Sequence, residues 1–487
     1  MRFIPLLLAT LLLISSCNTS SQQSDSVTTA PSTDAVTEAP VEETVNYLEI
    51  IPTYDLEGSD FRIACQTADD RPNIHSGEQN GDIVNDALYL RDMAAEERFK
   101  TKIVNTTFAN RANINKEINR MVTADEDSYD IIITSLLDGI GGMAAGGLLA
   151  DLSVVDTLDF SQPWWNQNAQ DALSWNNKIY GGAGPIALCY CYAPYALFVN
   201  LTMADDYRIG NLYETVDSGD WTIDYMNDVM KNIAEDVDGD GKYTVEDRCG
   251  LAMTLESGNA FLTGCGQLTA DKNGDEVAFR FNDLKFMEVL DKLNSVFSQQ
   301  SSILTDFLGN NVEGAAHLSY KVRMFTNSQA LFNAAPLVTS VYSFREMEDD
   351  YGLLPYPKLD KAQQEYYSYL LTFHPNAVAV PKTNTRIDET GAVMEFMCYY
   401  GEMNVRPQIH SVVLKEKIAR DEDSKRMFDL MFKNVVFDVN HVFSFGGSTT
   451  VIREYASGHT QNIVSKWASI EEKVLNELAE TIEKLTA

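Results

Sequence analysis

The chain has 487 residues, 45% of them hydrophobic and 10% aromatic, enough apolar surface for two or more packed domains and too much for a disordered polymer. Its 37 basic residues stand against 71 acidic ones, a net charge of −34, so it repels nucleic acid and anionic membrane surfaces, whose recognition needs Lys and Arg. An acidic surface suits an exported protein but names no ligand.

Arg2 followed by the apolar run from Phe3 to Ile14 has the charge and length of a signal peptide, and is shorter than the roughly 20 residues that span a bilayer. The stretch Leu13-Ile14-Ser15-Ser16-Cys17 then sets small residues before a cysteine. This resembles a bacterial lipobox, which implies that residues 1–16 are a signal peptide and that Cys17 is acylated by palmitate. Plain secretory cleavage, leaving Cys17 an ordinary thiol, is the alternative. Residues 18–46 are rich in Ser, Thr, Pro, Asp and Glu with little to bury. They read as a flexible tether with a reach of roughly 30 Å, and residues 17–55 as the lipid-anchored linker. The expected location is the extracellular face of the cell membrane, with the lipid as the only membrane contact. The remaining cysteines, Cys65, Cys189, Cys191, Cys249, Cys265 and Cys398, show no C-x-x-C and no regular framework. They read as buried free thiols, with one disulfide left open.

Folded sequence begins near Leu56. Phe61 to Thr67 reads as a strand, Asn80 to Lys100 as a helix with Ile83, Ala87, Leu90 and Ala94 on one face, and Lys102 to Phe108 as a second strand. A second helix spans Asn110 to Thr123. Tyr129 to Ser135 carries Ile131-Ile132-Ile133, the continuous apolar run of a buried parallel strand. This βαβαβ pattern predicts a parallel sheet. A second set follows the Gly-rich stretch from Tyr180 to Pro185. Ala187 to Asn200 is strongly apolar, Asp220 caps a helix opened by Trp221, and Gly250 to Thr254, Ala330 to Ala334 and Asn376 to Val380 read as short strands. Gly352 to Lys358 reads as a Pro-punctuated crossover. One long helix is expected from Val464 to Leu485.

Several of these segments resemble the extracellular solute-binding proteins (family 1) of bacterial ABC importers, the family that includes maltose-binding protein. Gly81-Asp-Ile-Val-Asn-Asp-Ala-Leu-Tyr-Leu-Arg91 looks like the family's first helix, and Asp130-Ile-Ile-Ile-Thr134 like the strand closing its first unit. Lys178-Ile-Tyr-Gly181 followed by Phe198-Val-Asn200 is similar to the family's entry into the second lobe, although Leu201 stands where the family usually has Lys. Asp220-Trp-Thr-Ile-Asp-Tyr-Met226 resembles a helix start of the family. Tyr351-Gly-Leu-Leu-Pro-Tyr-Pro-Lys358 and Ala377-Val-Ala-Val-Pro-Lys382 resemble its crossings back to the first lobe. The resemblance implies an α/β, two-lobed, type II periplasmic-binding-protein-like fold. Lobe 1 would comprise 56–184 and 368–405, lobe 2 would comprise 185–367 and 406–487, and the ligand cleft would lie between them. It further implies a monomer that hands a small solute, a sugar or oligosaccharide first among candidates, to permease subunits without chemistry.

The sharpest motif is Asp236-Val-Asp238-Gly-Asp240-Gly241-Lys242-Tyr-Thr244-Val-Glu-Asp247. Carboxylates at positions 1, 3 and 5, Gly at 6, a carbonyl at Lys242 and an acid at 12 fit a Ca²⁺ loop, because alternating hard oxygens can wrap one ion. A metal-free acidic turn is the alternative. For the ligand, Trp164 and Trp165 offer flat rings to stack on a sugar, at most one of them facing the cleft, with an aromatic core plug as the competing reading. Tyr180, Trp221, Tyr342 and Arg345 are placed as candidates by the resemblance. Asp69 and Asp138 follow the first and third strands, where ligands of open parallel sheets sit, with a solvated loop acid as the competing reading for both. Gly139-Ile-Gly141-Gly-Met-Ala144 fits a dinucleotide fingerprint but follows the wrong strand, so a tight turn into a helix is the reading kept. The histidines are scattered and no H-E-x-x-H, G-x-S-x-G or phosphate-loop motif occurs, so no enzyme is predicted. An exported carbohydrate-active hydrolase and a calcium-stabilised surface scaffold stay as alternatives.

Overall fold

A computed structural model describes residues 47–67, 74–306, 319–344, 347–415, 422–456 and 462–486. Cys17, Asp69 and Arg345 lie outside them. Ten strands build two five-stranded sheets: β1 Asp60–Gln66, β2 Lys102–Phe108, β3 Ile131–Ser135, β4 Gly182–Ala183, β5 Tyr195–Asn200, β6 Cys249–Met253, β7 Ser302–Leu304, β8 Ala330–Pro336, β9 Tyr351–Leu354 and β10 Pro375–Ala379.

The first sheet has the order β2-β1-β3-β10-β4, with β1 parallel to β2 and β3, and β10 antiparallel to β3 and β4. Alternation explains why its central strands carry no polar face. Phe61, Ile63, Cys65, Ile131 and Ile133 pack into one core with Ala95, Phe99 and Phe396. Ala64 and Ile132 pack on the opposite side with Leu88, Ile114, Ile118 and Met121. Both faces are covered by helices, so the run of isoleucines is buried throughout. The helix Ile83–Phe99 is started by Asp82, whose carboxylate accepts the N–H groups of Val84 and Asn85. Phe99 meets Phe396 of the helix Ile387–Tyr400 edge to face at 5.7 Å.

The second sheet has the order β7-β6-β8-β5-β9, with β6 parallel to its neighbours β7 and β8, and β5 antiparallel to β8 and β9. The chain therefore passes from the first sheet to the second between β4 and β5, and returns between β9 and β10. It leaves again after Ile387–Tyr400, since the helix Glu422–Lys433 packs beside β9. These are the three crossings of an α/β, two-sheet molecule.

Three sequence expectations change. The helix expected to open at Trp221 under an Asp220 cap is Ile223–Met230, capped by Thr222, whose hydroxyl accepts the Tyr225 N–H. Gly352 is not in a crossover: Tyr351–Leu354 is a strand, and the crossing comes only after Pro355. The expected final helix is two, Ile463–Ala468 and Glu471–Thr486. The break lets Trp467 stack on Phe281 at 4.5 Å while Val474 seats against Gly446, whose left-handed φ of +60° leaves no space for a Cβ. No helix among the described residues is long and apolar enough to cross a membrane. All six described cysteines are buried.

Candidate functional site

Parallel strands deliver their carboxyl ends to one edge of a sheet, where backbone groups are released from the ladder and side chains can face a ligand. In the second sheet these ends carry Thr254, Glu256 and Asp306. The Asp306 carboxylate accepts the Leu255 N–H at 2.9 Å, tying the β6 and β7 ends together. Glu256 Oε1 accepts the Tyr369 hydroxyl and the Asn259 Nδ2 group at 3.2 Å, while Oε2 lies 3.5 Å from Arg453 Nε. Tyr369, on the returning crossover, meets Tyr195 at the start of β5 edge to face at 5.6 Å. Lys321 Nζ sits 6.0 Å from the Tyr195 ring centre and donates to the Ala334 carbonyl at 3.0 Å. Burial pulls the Lys321 ammonium down to about 8, against the opposing pull of Asp306 and Glu256. Burial pushes the Tyr369 phenol well above its ordinary value, and the Glu256 carboxylate adds to the shift. Lys321, Tyr195 and Tyr369 are buried, so these acid, amine and phenol groups form a fixed polar layer beneath the strand ends.

The first sheet contributes the end of β3. The chain leaves Ser135 through a tight, non-helical turn at Leu137 and Asp138, in which Leu137 donates its N–H to the Thr372 carbonyl of the returning crossover at 3.0 Å. Asp138 adopts a left-handed φ of +50°, stays half-exposed and pairs with Arg111 at 3.4 Å. It is the one expected ligand residue whose described side chain stands open at a strand end.

Other expectations are corrected. Trp164 and Trp165 are both buried, and their indole N–H groups donate to the two oxygens of Glu395 at 2.7 and 2.9 Å. They are a core plug braced by one carboxylate, with no open face for a sugar. Burial pushes that carboxyl up to about 7, although the indoles and the Asp159 N–H pull the other way. Trp221 is likewise core: fully buried in the second lobe, it donates to the Pro355 carbonyl at 2.9 Å. Tyr180 is buried and donates to the Leu485 carbonyl at 2.9 Å, fastening the last helix. Tyr342 lies in the helix Val338–Ser343, which follows β8.

The acidic loop folds as its spacing asks. Carboxylate oxygens of Asp236, Asp238 and Asp240 lie within 4.8 Å of one another. Gly239 and Gly241 take φ of +74° and +79°, and their N–H groups donate to Asp236 at 2.7 and 2.8 Å. Three converging hard oxygens fit a divalent ion of calcium's size. Asp247 differs from its expected ligand role. It is fully buried and accepts the N–H groups of Val237 and Thr244 at 2.9 and 2.7 Å, so it clasps the loop from behind. Burial acts to raise its pKa, but these hydrogen bonds hold it below the ordinary carboxylate value. The base of the loop is closed by Glu235 and Arg248, paired through both backbone and side chains.

No family model matches the chain, and no curated protein matches it in sequence. Solved structures do. The sugar-binding protein MalE from the phytopathogen Xanthomonas citri aligns at a TM-score of 0.59 and 12% identity, over 87% of this chain and 98% of that one. The galacto-N-biose/lacto-N-biose I-binding protein of the ABC transporter from Bifidobacterium longum, in complex with lacto-N-biose, aligns at 0.55 and 13% identity, over 88% and 99%. The chain has the solute-binding-protein fold.

Within the solute-binding-protein fold, Glu256, Tyr369, Tyr195, Asp306 and Lys321 are the residues that sequence reasoning missed. Glu256 and Asp306 each lie within three residues of a strand end, a signal that was present but weak in so acidic a chain. Lys321 and Tyr369 reach the cluster from a helix and a crossover, and no spacing in the sequence announces them.

Proposed function

We propose that this chain is an exported solute-binding lipoprotein of an ABC importer. It captures a small polar solute, a sugar or oligosaccharide, between two lobes and delivers it unaltered to permease subunits. The observation that carries the reading is the architecture itself: two α/β sheets joined by three crossings, in the fold of proteins whose solved forms include one bound to lacto-N-biose. Cys17, acylated, holds the monomer on the outer face of the membrane, and the tether lets the lobes sample the medium. Solute binds one lobe, hinge closure covers it with the other, and the closed form docks on the permease. Ca²⁺ at Asp236, Asp238, Asp240 and the Lys242 carbonyl would supply positive charge that pins the loop, a structural role.

The experiment is a thermal-shift screen of the chain from residue 18 against neutral and charged saccharides, amino acids and peptides. A binder at 100 times its Kd adds about 2.7 kcal/mol to stability, a shift of a few degrees. The saccharide must also be recovered chemically unchanged after prolonged incubation. Turnover of the sugar, or stabilisation by peptides with none by any saccharide, would sink this reading.

A further inference from the structure

Two features beside the strand ends have no account in the packing of the fold. His441 is 5% exposed, yet no protein group among the described residues hydrogen-bonds either of its ring nitrogens. A buried imidazole without a partner is a polar group taken from water with nothing in exchange. Its ring lies 5.7 Å from the ring of Tyr369, the residue whose hydroxyl donates to Glu256. Its short helix, Val439–Phe443, packs on the turn after β3, with the Val442 carbonyl against Gly141 so closely that a Cβ there would lie 2.5 Å away. The second feature is Phe373, 41% exposed on the same crossover as Tyr369. Its neighbours Leu371, Thr372 and Pro375 are buried, and Thr372 is the residue bonded to the end of β3. A large apolar ring therefore faces outward at the strand end, four residues from the Tyr369–Glu256 pair.

We propose that the crossover from Tyr369 to His374, with His441, is the solute-contacting floor, and that it selects an uncharged pyranoside. The proposal rests on the sugar-binding reading above. Phe373 offers its face to the C–H face of a sugar ring, and His441 pairs with a hydroxyl, which can both donate and accept and so suits either ring nitrogen. The Arg453 guanidinium and the Lys321 ammonium offset the Glu256 and Asp306 carboxylates locally, so it is the protein's net charge of −34 that disfavours a uronate or any other anionic solute.

The test uses maltotriose, cellotriose and raffinose as neutral probes and trigalacturonate as the acidic one, with Kd measured by calorimetry. His441→Phe keeps the ring against Tyr369 and removes both nitrogens, and Phe373→Ala removes an exposed side chain. Each is expected to weaken the tightest neutral probe about tenfold, the loss of one net hydrogen bond or one ring contact. The ligand-free Tm of His441→Phe should hold or rise, because an unpaired polar group is gone. A purely structural histidine predicts the reverse, a lower Tm with unchanged Kd. If a neutral probe binds and both variants keep its Kd within about twofold, or if trigalacturonate binds more tightly than every neutral probe, this assignment is overturned while sugar capture stands. Failure of every saccharide would overturn the sugar reading and this proposal with it.

Discussion

Glu395 shows how one residue can redirect the meaning of a motif. Two adjacent tryptophans invite a ligand-stacking interpretation, but a single buried carboxylate accepts both indole N–H groups and turns the pair inward. The carboxylate's presence 230 residues downstream is invisible to any local reading. Its environment also makes a prediction. A carboxyl raised from 4.5 to about 7 in the folded protein holds its proton there more tightly than in the unfolded chain. Its contribution to stability is full below about pH 4.5 and is lost as pH rises through about 7, a change of roughly 3 kcal/mol at most. Glu395→Gln cannot titrate and keeps one acceptor oxygen, so its Tm should vary less than the parent's between pH 5 and 8. Parallel Tm profiles for the two proteins would show that Glu395 does not titrate in that window.

At the scale of elements, the first half of the fold was legible because its signals are local. The helix read from Asn80 to Lys100 is Ile83–Phe99, its start fixed by Asp82, and the strand read at Lys102 to Phe108 has those bounds. The second half was less legible where tertiary pairing decides. Tyr351–Leu354 became a strand because β5 supplies an antiparallel partner, which proline spacing does not reveal. The expected ligand residues fared worst, since burial of Trp164, Trp165 and Trp221 follows from packing between distant segments. The acidic loop lies at the other extreme, all of its chemistry falling within twelve residues, and its parts should separate by mutation. With Ca²⁺ near 100 times its Kd, removal of the ion by EDTA should cost roughly 2–3 kcal/mol. Asp238→Asn should abolish that difference while leaving the metal-free Tm unchanged. Asp247→Ala, by contrast, frees buried N–H groups and should destabilise the protein by about 2–3 kcal/mol with or without the ion. An EDTA-insensitive Tm in the parent protein would remove calcium from the account.

For the whole molecule, the question is whether the two sheets move against each other. Their connection is three crossings, and the returning one is anchored at both ends: Leu370 bridges to Pro194 and Tyr369 donates to Glu256 on the side of the second sheet, while Thr372 accepts from Leu137 at the end of β3. A hinge concentrates its φ/ψ change in a few residues between rigid bodies, and Leu370 to Thr372 is the short stretch over which the chain passes from one set of anchors to the other. A ligand shifts the balance of open and closed forms only by its differential affinity for the two. Saturation with the tightest saccharide should therefore reduce the radius of gyration measured by small-angle X-ray scattering, and Tyr369→Phe, which releases one of the two second-lobe anchors, should weaken the saccharide by raising its dissociation rate. Identical scattering curves with and without a saturating saccharide would mean that the solute enters a preformed site, and delivery to a permease would then need a signal other than closure.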